Sequence, residues 1–143
     1  MYLLYVLLLL TITPMVSQEW NSDFEEAKQK AQERNHSILL LFSGSDWCAP
    51  CIKLEKEILS TKEFTEKAKD HYVLMKADFP RKKKNQLPEV LKNQNARLAE
   101  QYNKSGGFPM VVLLDQVGTK LGEIGYKKVS PKAYIELLSA MKK

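Results

Sequence analysis

The chain has 143 residues, 44% of them hydrophobic and 27% charged, with 22 Lys+Arg against 17 Asp+Glu. That length and balance fit one globular domain and exclude a disordered chain, a repeat array and a multi-span membrane protein. Two cysteines are too few for a disulfide-stapled miniprotein, and a domain of this size buries a core without staples. Both cysteines are free for chemistry.

Met1 to Ser17 carries no charged side chain, so the whole formal charge of +5 falls on the rest of the chain. Tyr2 to Ile12 is a leucine-dense apolar run that ends at Thr13-Pro14-Met15-Val16-Ser17. This pattern reads as a secretory signal over residues 1–17, followed by a single domain over residues 18–143. No Lys or Arg precedes the run, and Met15 fits a cleavage site poorly. An uncleaved anchor is the rival reading, although the run is shorter than the roughly 20 residues that span a bilayer. A buried core helix is disfavoured because the run has no polar face. The expected compartment is therefore exported, periplasmic or secreted, where disulfides form and persist.

Trp20, Phe24, Ala27 and Ala31 recur at helical spacing, and Ser22-Asp23-Phe24-Glu25 offers a capping box. A helix is expected from Ser22 to Arg34. Ile38 to Phe42 is an unbroken apolar run, as expected of a central strand covered on both faces. Cys48 to Leu59 reads as a helix that tolerates Pro50 in its first turn. A short helix follows over Thr61 to Lys69, then a strand over Tyr72 to Ala77. Asp78 to Gln86 carries Arg81-Lys82-Lys83-Lys84 between two prolines and reads as a loop. Leu87 to Tyr102 is helical, and Gly106-Gly107 breaks it. Met110 to Leu114 and Lys120 to Gly125 are strands joined by a turn, and Ser130-Pro131 opens a final helix. Strands separated by helices imply parallel pairing, and the last two strands form a hairpin. The expected architecture is an α/β fold, a central mixed β-sheet flanked by helices on both faces.

The chemistry sits in Ser45-Asp46-Trp47-Cys48-Ala49-Pro50-Cys51, between the buried strand and its helix. A bare C-x-x-C is a weak signal, because zinc sites use it as well. Its position strengthens it. A cysteine at a helix N-terminus meets unpaired backbone N–H groups and the positive end of the macrodipole, which stabilise a thiolate. Two intervening residues bring the second sulfur back within one turn, so a bond between them can form and break.

With Trp47-Cys48-Ala49-Pro50-Cys51 after a buried strand, Gly107-Phe108-Pro109 before a later strand and Gly125 near the end, the sequence resembles the thioredoxin superfamily. Its likeness is to exported thioredoxin-like proteins, including the C-terminal periplasmic domain of the membrane thiol:disulfide interchange reductase. The resemblance implies the thioredoxin fold. It makes Cys48 the exposed nucleophile and Cys51 the buried resolving thiol. Pro109 matches the family's cis-proline, and Trp47, Ala49, Pro50 and Phe108 would meet an extended substrate peptide. One departure stands out. Many thioredoxins keep a buried Asp on the strand before the cysteines, and the candidate positions here, Leu40, Leu41 and Phe42, are apolar. Glu55, one turn after Cys51, falls in the apolar arc of its helix. There it would relay a proton to Cys51 as a third catalytic residue. The equally weighted reading is a Glu that reaches water or pairs with a lysine.

A zinc site would need two further ligands, and His36 and His71 lack ligand spacing, so no metal or other cofactor is expected. The Arg81 to Lys84 run is either a solvated loop or a dock for an acidic partner or an anionic membrane face. Nucleic acid is disfavoured because no aromatics interleave the basic run. Asn35-His36-Ser37 and Asn103-Lys104-Ser105 match the glycosylation sequon, a triplet common by chance. The expected function is an exported thiol–disulfide oxidoreductase that reduces protein disulfides and is recharged by a membrane-embedded thiol reductase. Pro50 before Cys51 and Trp47 before Cys48 resemble the reducing members of the superfamily. The alternative is a non-catalytic thioredoxin-like binding or chaperone module with a structural Cys48–Cys51 bond.

Overall fold

A computed structural model describes residues 19–143, so the expected signal segment lies outside the described residues. The elements in chain order are β1 (Trp20–Asn21), α1 (Phe24–Arg34), β2 (Ser37–Ser43), α2 (Ala49–Leu54), α3 (Lys62–Ala68), β3 (Tyr72–Asp78), α4 (Glu89–Tyr102), β4 (Met110–Leu114), β5 (Lys120–Ile124) and α5 (Pro131–Ala140). A single π turn, Glu55–Leu59, continues α2, and a 3-10 turn, Lys83–Asn85, lies in the β3–α4 loop. The five strands form one sheet in the order β1-β3-β2-β4-β5.

The apolar run of β2 is explained by its place at the centre of the sheet. Leu39 and Leu41 face one core, with Leu54, Ile58, Phe64, Tyr134 and Leu138 from α2, the π turn, α3 and α5. Ile38, Leu40 and Phe42 face the other, with Phe24, Ala27 and Ala31 of α1 and Leu98 and Tyr102 of α4. All five of these β2 side chains are fully buried, and each such burial contributes about 1.5–3 kcal/mol.

Three expectations are corrected. Trp20 belongs to a strand, not to the first helix: β1 pairs in parallel with β3, Trp20 opposite Leu74. The buried Asn21 amide seals that pairing by donating to the Leu74 carbonyl at 2.8 Å. The helix cap is Asp23, whose Oδ1 accepts from the Glu26 N–H at 3.0 Å, so the Ser22–Glu25 box does not form. Finally, helix-separated strands are not all parallel. β2 and β3 are, but β4 runs antiparallel to β2, because α4 and the chain after it return to the sheet edge from which α4 departed. The hairpin of β4 and β5 is antiparallel as expected.

These directions decide where function sits. The C-terminal ends of β2, β3 and β5 and the N-terminal end of β4 share one edge of the sheet, with Ser43 opposite Asp78, Phe42 opposite Met110 and Val111 opposite Ile124. Every loop that leaves this edge meets the cysteine motif or flanks it.

Candidate active site

Gly44 follows the last residue of β2, and its carbonyl accepts from the backbone N–H of both Trp47 and Cys48, at 3.2 and 2.9 Å. This tight turn delivers Cys48 to the N-cap of α2. Cys48 Sγ there accepts from the Cys51 N–H at 3.3 Å, a donor that favours negative charge on that sulfur. Pro50 occupies the first turn, where no intrahelical N–H is needed. Cys48 and Cys51 are joined in a disulfide with their Cα atoms 5.2 Å apart.

Both cysteines are shielded in this oxidised form, Cys48 at 4% exposure and Cys51 at 1%. The expectation of an exposed Cys48 is corrected to one that is only slightly more accessible than its partner. Ala49, Pro50, Ile52 and Lys53 are the exposed residues around the pair.

The peptide bond between Phe108 and Pro109 is cis, and Pro109 is buried at the start of β4. Phe108 packs against two aromatics, tilted to the Trp47 ring at 5.7 Å and edge-to-face with that of Phe79 at 5.4 Å. Trp47 is held in turn. Its Nε1–H donates to the Phe79 carbonyl at 2.7 Å, and the Arg81 guanidinium lies 3.6 Å from its ring centroid.

A carboxylate latch fastens the β3–α4 loop to the motif. Asp46 accepts from the N–H groups of Arg81 and Lys82, both at 2.9 Å, and from the Asn85 amide at 3.0 Å. The Arg81 N–H, first among these, holds the Asp46 carboxyl below the usual carboxylate range. Asp78 at the end of β3 accepts from the N–H and hydroxyl of Ser45, at 3.0 and 2.6 Å. Phe79, Asp78 and Arg81 as site residues, and the bonding role of Asp46 within the motif, are what sequence reading missed. Their links run to backbone atoms and rings far along the chain, and no spacing rule announces them.

Glu55 opens the π turn, its N–H donating to the Cys51 carbonyl one turn earlier. Its half-buried carboxylate forms an ion pair with Lys76 of β3. Lys76 sits in register with Leu41, a candidate position for the missing strand aspartate, and its ammonium lies 5.2 Å from the Trp20 ring. The lysine pairing weighed for Glu55 is present, with Lys76 as the partner.

The structure brings Trp47, Cys48, Ala49, Pro50 and Cys51 together on the β2–α2 segment, beside Phe108 and Pro109. A redox-active pair capped by a helix N-terminus, with an aromatic wall and a cis-proline next to it, is equipped for thiol–disulfide exchange. The family described as Thioredoxin-like matches residues 19–116. The chain belongs to that family. It is a thioredoxin-like oxidoreductase, 37% identical over 125 residues to the disulfide bond reductase DsbH of Chlamydia pneumoniae, covering 87% of this chain and 73% of DsbH. The thioredoxin-related protein DsbJ of the same organism is 33% identical over 106 residues, covering 74% of this chain but only 30% of DsbJ. A solved DsbH oxidoreductase superposes with a TM-score of 0.81 at 32% identity, covering 93% of this chain and 91% of that one. The oxidised C-terminal domain of DsbD from Neisseria meningitidis shares the fold, with a TM-score of 0.57 at 15% identity over 82% of this chain and 91% of its own.

Proposed function

We propose that the chain is an exported reductase of protein disulfides, working through Cys48 and Cys51. The observation that carries this is the Cys48–Cys51 disulfide at the N-terminus of α2, in a chain 37% identical to a protein named as a disulfide bond reductase. The apolar segment at residues 1–17 acts as the export signal and residues 18–143 form the working domain.

In the forward cycle the Cys48 thiolate attacks one sulfur of the substrate disulfide and expels the other as a thiolate. The resulting mixed disulfide joins Cys48 to the substrate. Cys51 loses its proton, attacks Cys48 Sγ and releases the second substrate thiolate. Two electrons have then passed to the substrate, and the Cys48–Cys51 disulfide is left. An external dithiol must reduce it again, and a membrane-embedded thiol reductase fits that role in an exported protein. Phe108 offers backbone groups to an extended substrate peptide beside Pro109, and Trp47, Ala49 and Pro50 form the apolar surface on which it rests.

The direction of electron flow is tested by equilibrating the Cys48–Cys51 pair against defined thiol–disulfide buffers. A reductase is expected near the thioredoxin end of the scale, about −270 mV, and a value near about −120 mV would make the chain an oxidant instead.

Glu55 is the group proposed to take the proton from Cys51, with Lys76 orienting its carboxylate through their ion pair. Glu55→Gln is expected to slow release of the mixed disulfide by on the order of tenfold while sparing its formation. Rapid-mixing kinetics across a pH series would show it. A resolution step with the same rate and pH profile in both proteins would remove Glu55 from the mechanism.

A further inference from the structure

Two loops flank the redox pair on the edge of the sheet that carries it. The first follows β3 and presents Arg81, Lys82, Lys83 and Lys84; the second follows β5 and presents Lys127 and Lys128. In the strand order β1-β3-β2-β4-β5, the cysteine motif leaves β2, between them. The two loops therefore stand on opposite sides of the cysteines. All six basic residues are exposed.

Their charge is only partly offset, by the Asp46 carboxylate at the base of the first loop. None of the six joins an ion pair among the described residues. Asp46 is held by the N–H groups of the first loop, while Asp78 is engaged with Ser45 and Glu57 with the Tyr126 hydroxyl at 2.6 Å, so the six cations outnumber the carboxylate set among them. The Asp46 latch and the bonds from the Gln86 amide to the Pro80 and Lys82 carbonyls, at 2.9 and 3.3 Å, fix the backbone of the first loop. The backbone that carries its cations is thus held in place, so little loop ordering is required on binding. Between the loops lies the apolar patch of Ala49, Pro50 and Ile52.

We propose that this basic bracket selects protein substrates whose reducible disulfide is flanked by acidic residues, drawing the acidic segments to either side of Cys48. The inference rests on the reductase reading and names the substrate class for it. An acidic protein segment is favoured over an anionic bilayer because the cations surround the cysteines. A membrane held there would cover Cys48, whereas a polypeptide held there places its disulfide over it. Fields of this kind act chiefly on association rate and on choice of partner, and they fade with salt.

The test uses three cyclic disulfide peptides identical around the disulfide and flanked by a short run of Glu, of Gln or of Lys. At low salt the Glu peptide is expected to be reduced with kcat/KM about tenfold above the Gln peptide, and the Lys peptide more slowly than either. The ratios should collapse at about 0.5 M salt, where the screening length is only ~4 Å. Combining Lys82→Gln, Lys83→Gln and Lys84→Gln with Lys127→Gln and Lys128→Gln should bring the Glu-to-Gln ratio close to one without moving the reduction potential. Equal rates for all three peptides, or a preference that survives the five substitutions, would overturn the proposal. So would lysine-dependent binding to phosphatidylglycerol vesicles without any preference for the Glu peptide. Failure of the reductase reading looks different, because then no peptide is reduced. In that case salt-sensitive binding of the Glu peptide, read by fluorescence anisotropy, still supports the bracket, and its absence overturns it.

Discussion

Cys51→Ser is expected to turn the chain from a catalyst into a trap. The variant keeps the Cys48 sulfur at the N-cap of α2, so attack on a substrate disulfide still forms a mixed disulfide. The second displacement needs a thiolate at position 51, and serine offers only an un-ionised hydroxyl that does not attack the mixed disulfide. Covalent adducts should then accumulate on Cys48 and vanish on addition of a reducing agent, as mass spectrometry under non-reducing conditions would show. Cys48→Ser should fail one step earlier, with neither turnover nor adducts. The pair of variants also separates catalysis from simple binding. A binding module with a structural Cys48–Cys51 bond would hold its partner equally well after either substitution and would form no adduct. Because Cys48 and Cys51 are both nearly buried, reagents that merely sample surface thiols are a poor substitute for this experiment.

The parts of the fold legible in the sequence are those whose cause is local. Ile38 to Phe42 and Met110 to Leu114 read as strands because each lies inside the sheet with both faces covered, which demands apolar residues throughout. The α2 start is legible because Pro50, two residues after Cys48, obeys the short-range rule that places proline in the first turn of a helix. The features that escaped notice depend on partners distant in sequence. Trp20 stands at a helical interval from Phe24, yet its β partner is Leu74, and two residues of strand carry no periodicity at all. The 100° wheel that sets Glu55 among apolar neighbours assumes a regular α-helix. Glu55 instead opens a π turn, whose extra residue shifts the phase of the side chains after it. Its partner, Lys76, faces it from β3, and a lysine within an otherwise apolar strand is the one sign the sequence offered.

The same division applies to the site. Cys48, Cys51 and Pro109 were visible as a motif. The setting that orients them was not, because it consists of carboxylates bound to backbone N–H groups and of rings stacked between separate loops. Asp46, Asp78, Phe79 and Arg81 are polar or aromatic residues in or beside loops, where such residues are common. Only their contacts across the loops give them a role: Asp78 on Ser45, Phe79 and Arg81 on Trp47, and Asp46 on the Arg81 N–H. This also changes the meaning of the Arg81 to Lys84 run. As a bare charge cluster it suits any solvated loop. Latched to the residue two before Cys48, it becomes part of the surface beside the cysteine pair.

Gly44→Ala tests how much of the site depends on that setting. A Cβ at position 44 would stand 2.3 Å from Cε2 and 2.5 Å from Cζ2 of Trp47. The obstacle is a rigid indole, not the tip of a flexible side chain, and the ring is fastened on several sides. Moving it breaks the Nε1 bond to the Phe79 carbonyl, separates Arg81 from the ring face and disturbs the contact with Phe108. Overpacking of this kind costs about 1–3 kcal/mol, and the lost hydrogen bond adds about 1 kcal/mol. For a domain of this length a fall in Tm of roughly 5–15 °C is expected. Activity should drop as well, since Trp47 immediately precedes Cys48 and lines the surface beside Pro109. A double-mutant cycle isolates the cause. If the clash is responsible, adding Gly44→Ala to Trp47→Ala should cost little beyond Trp47→Ala alone, leaving a coupling energy close to the whole Gly44 penalty. Additive losses would mean that the alanine acts through the turn from β2 to α2 rather than through the ring, and that the Trp47 wall is not what positions the redox pair.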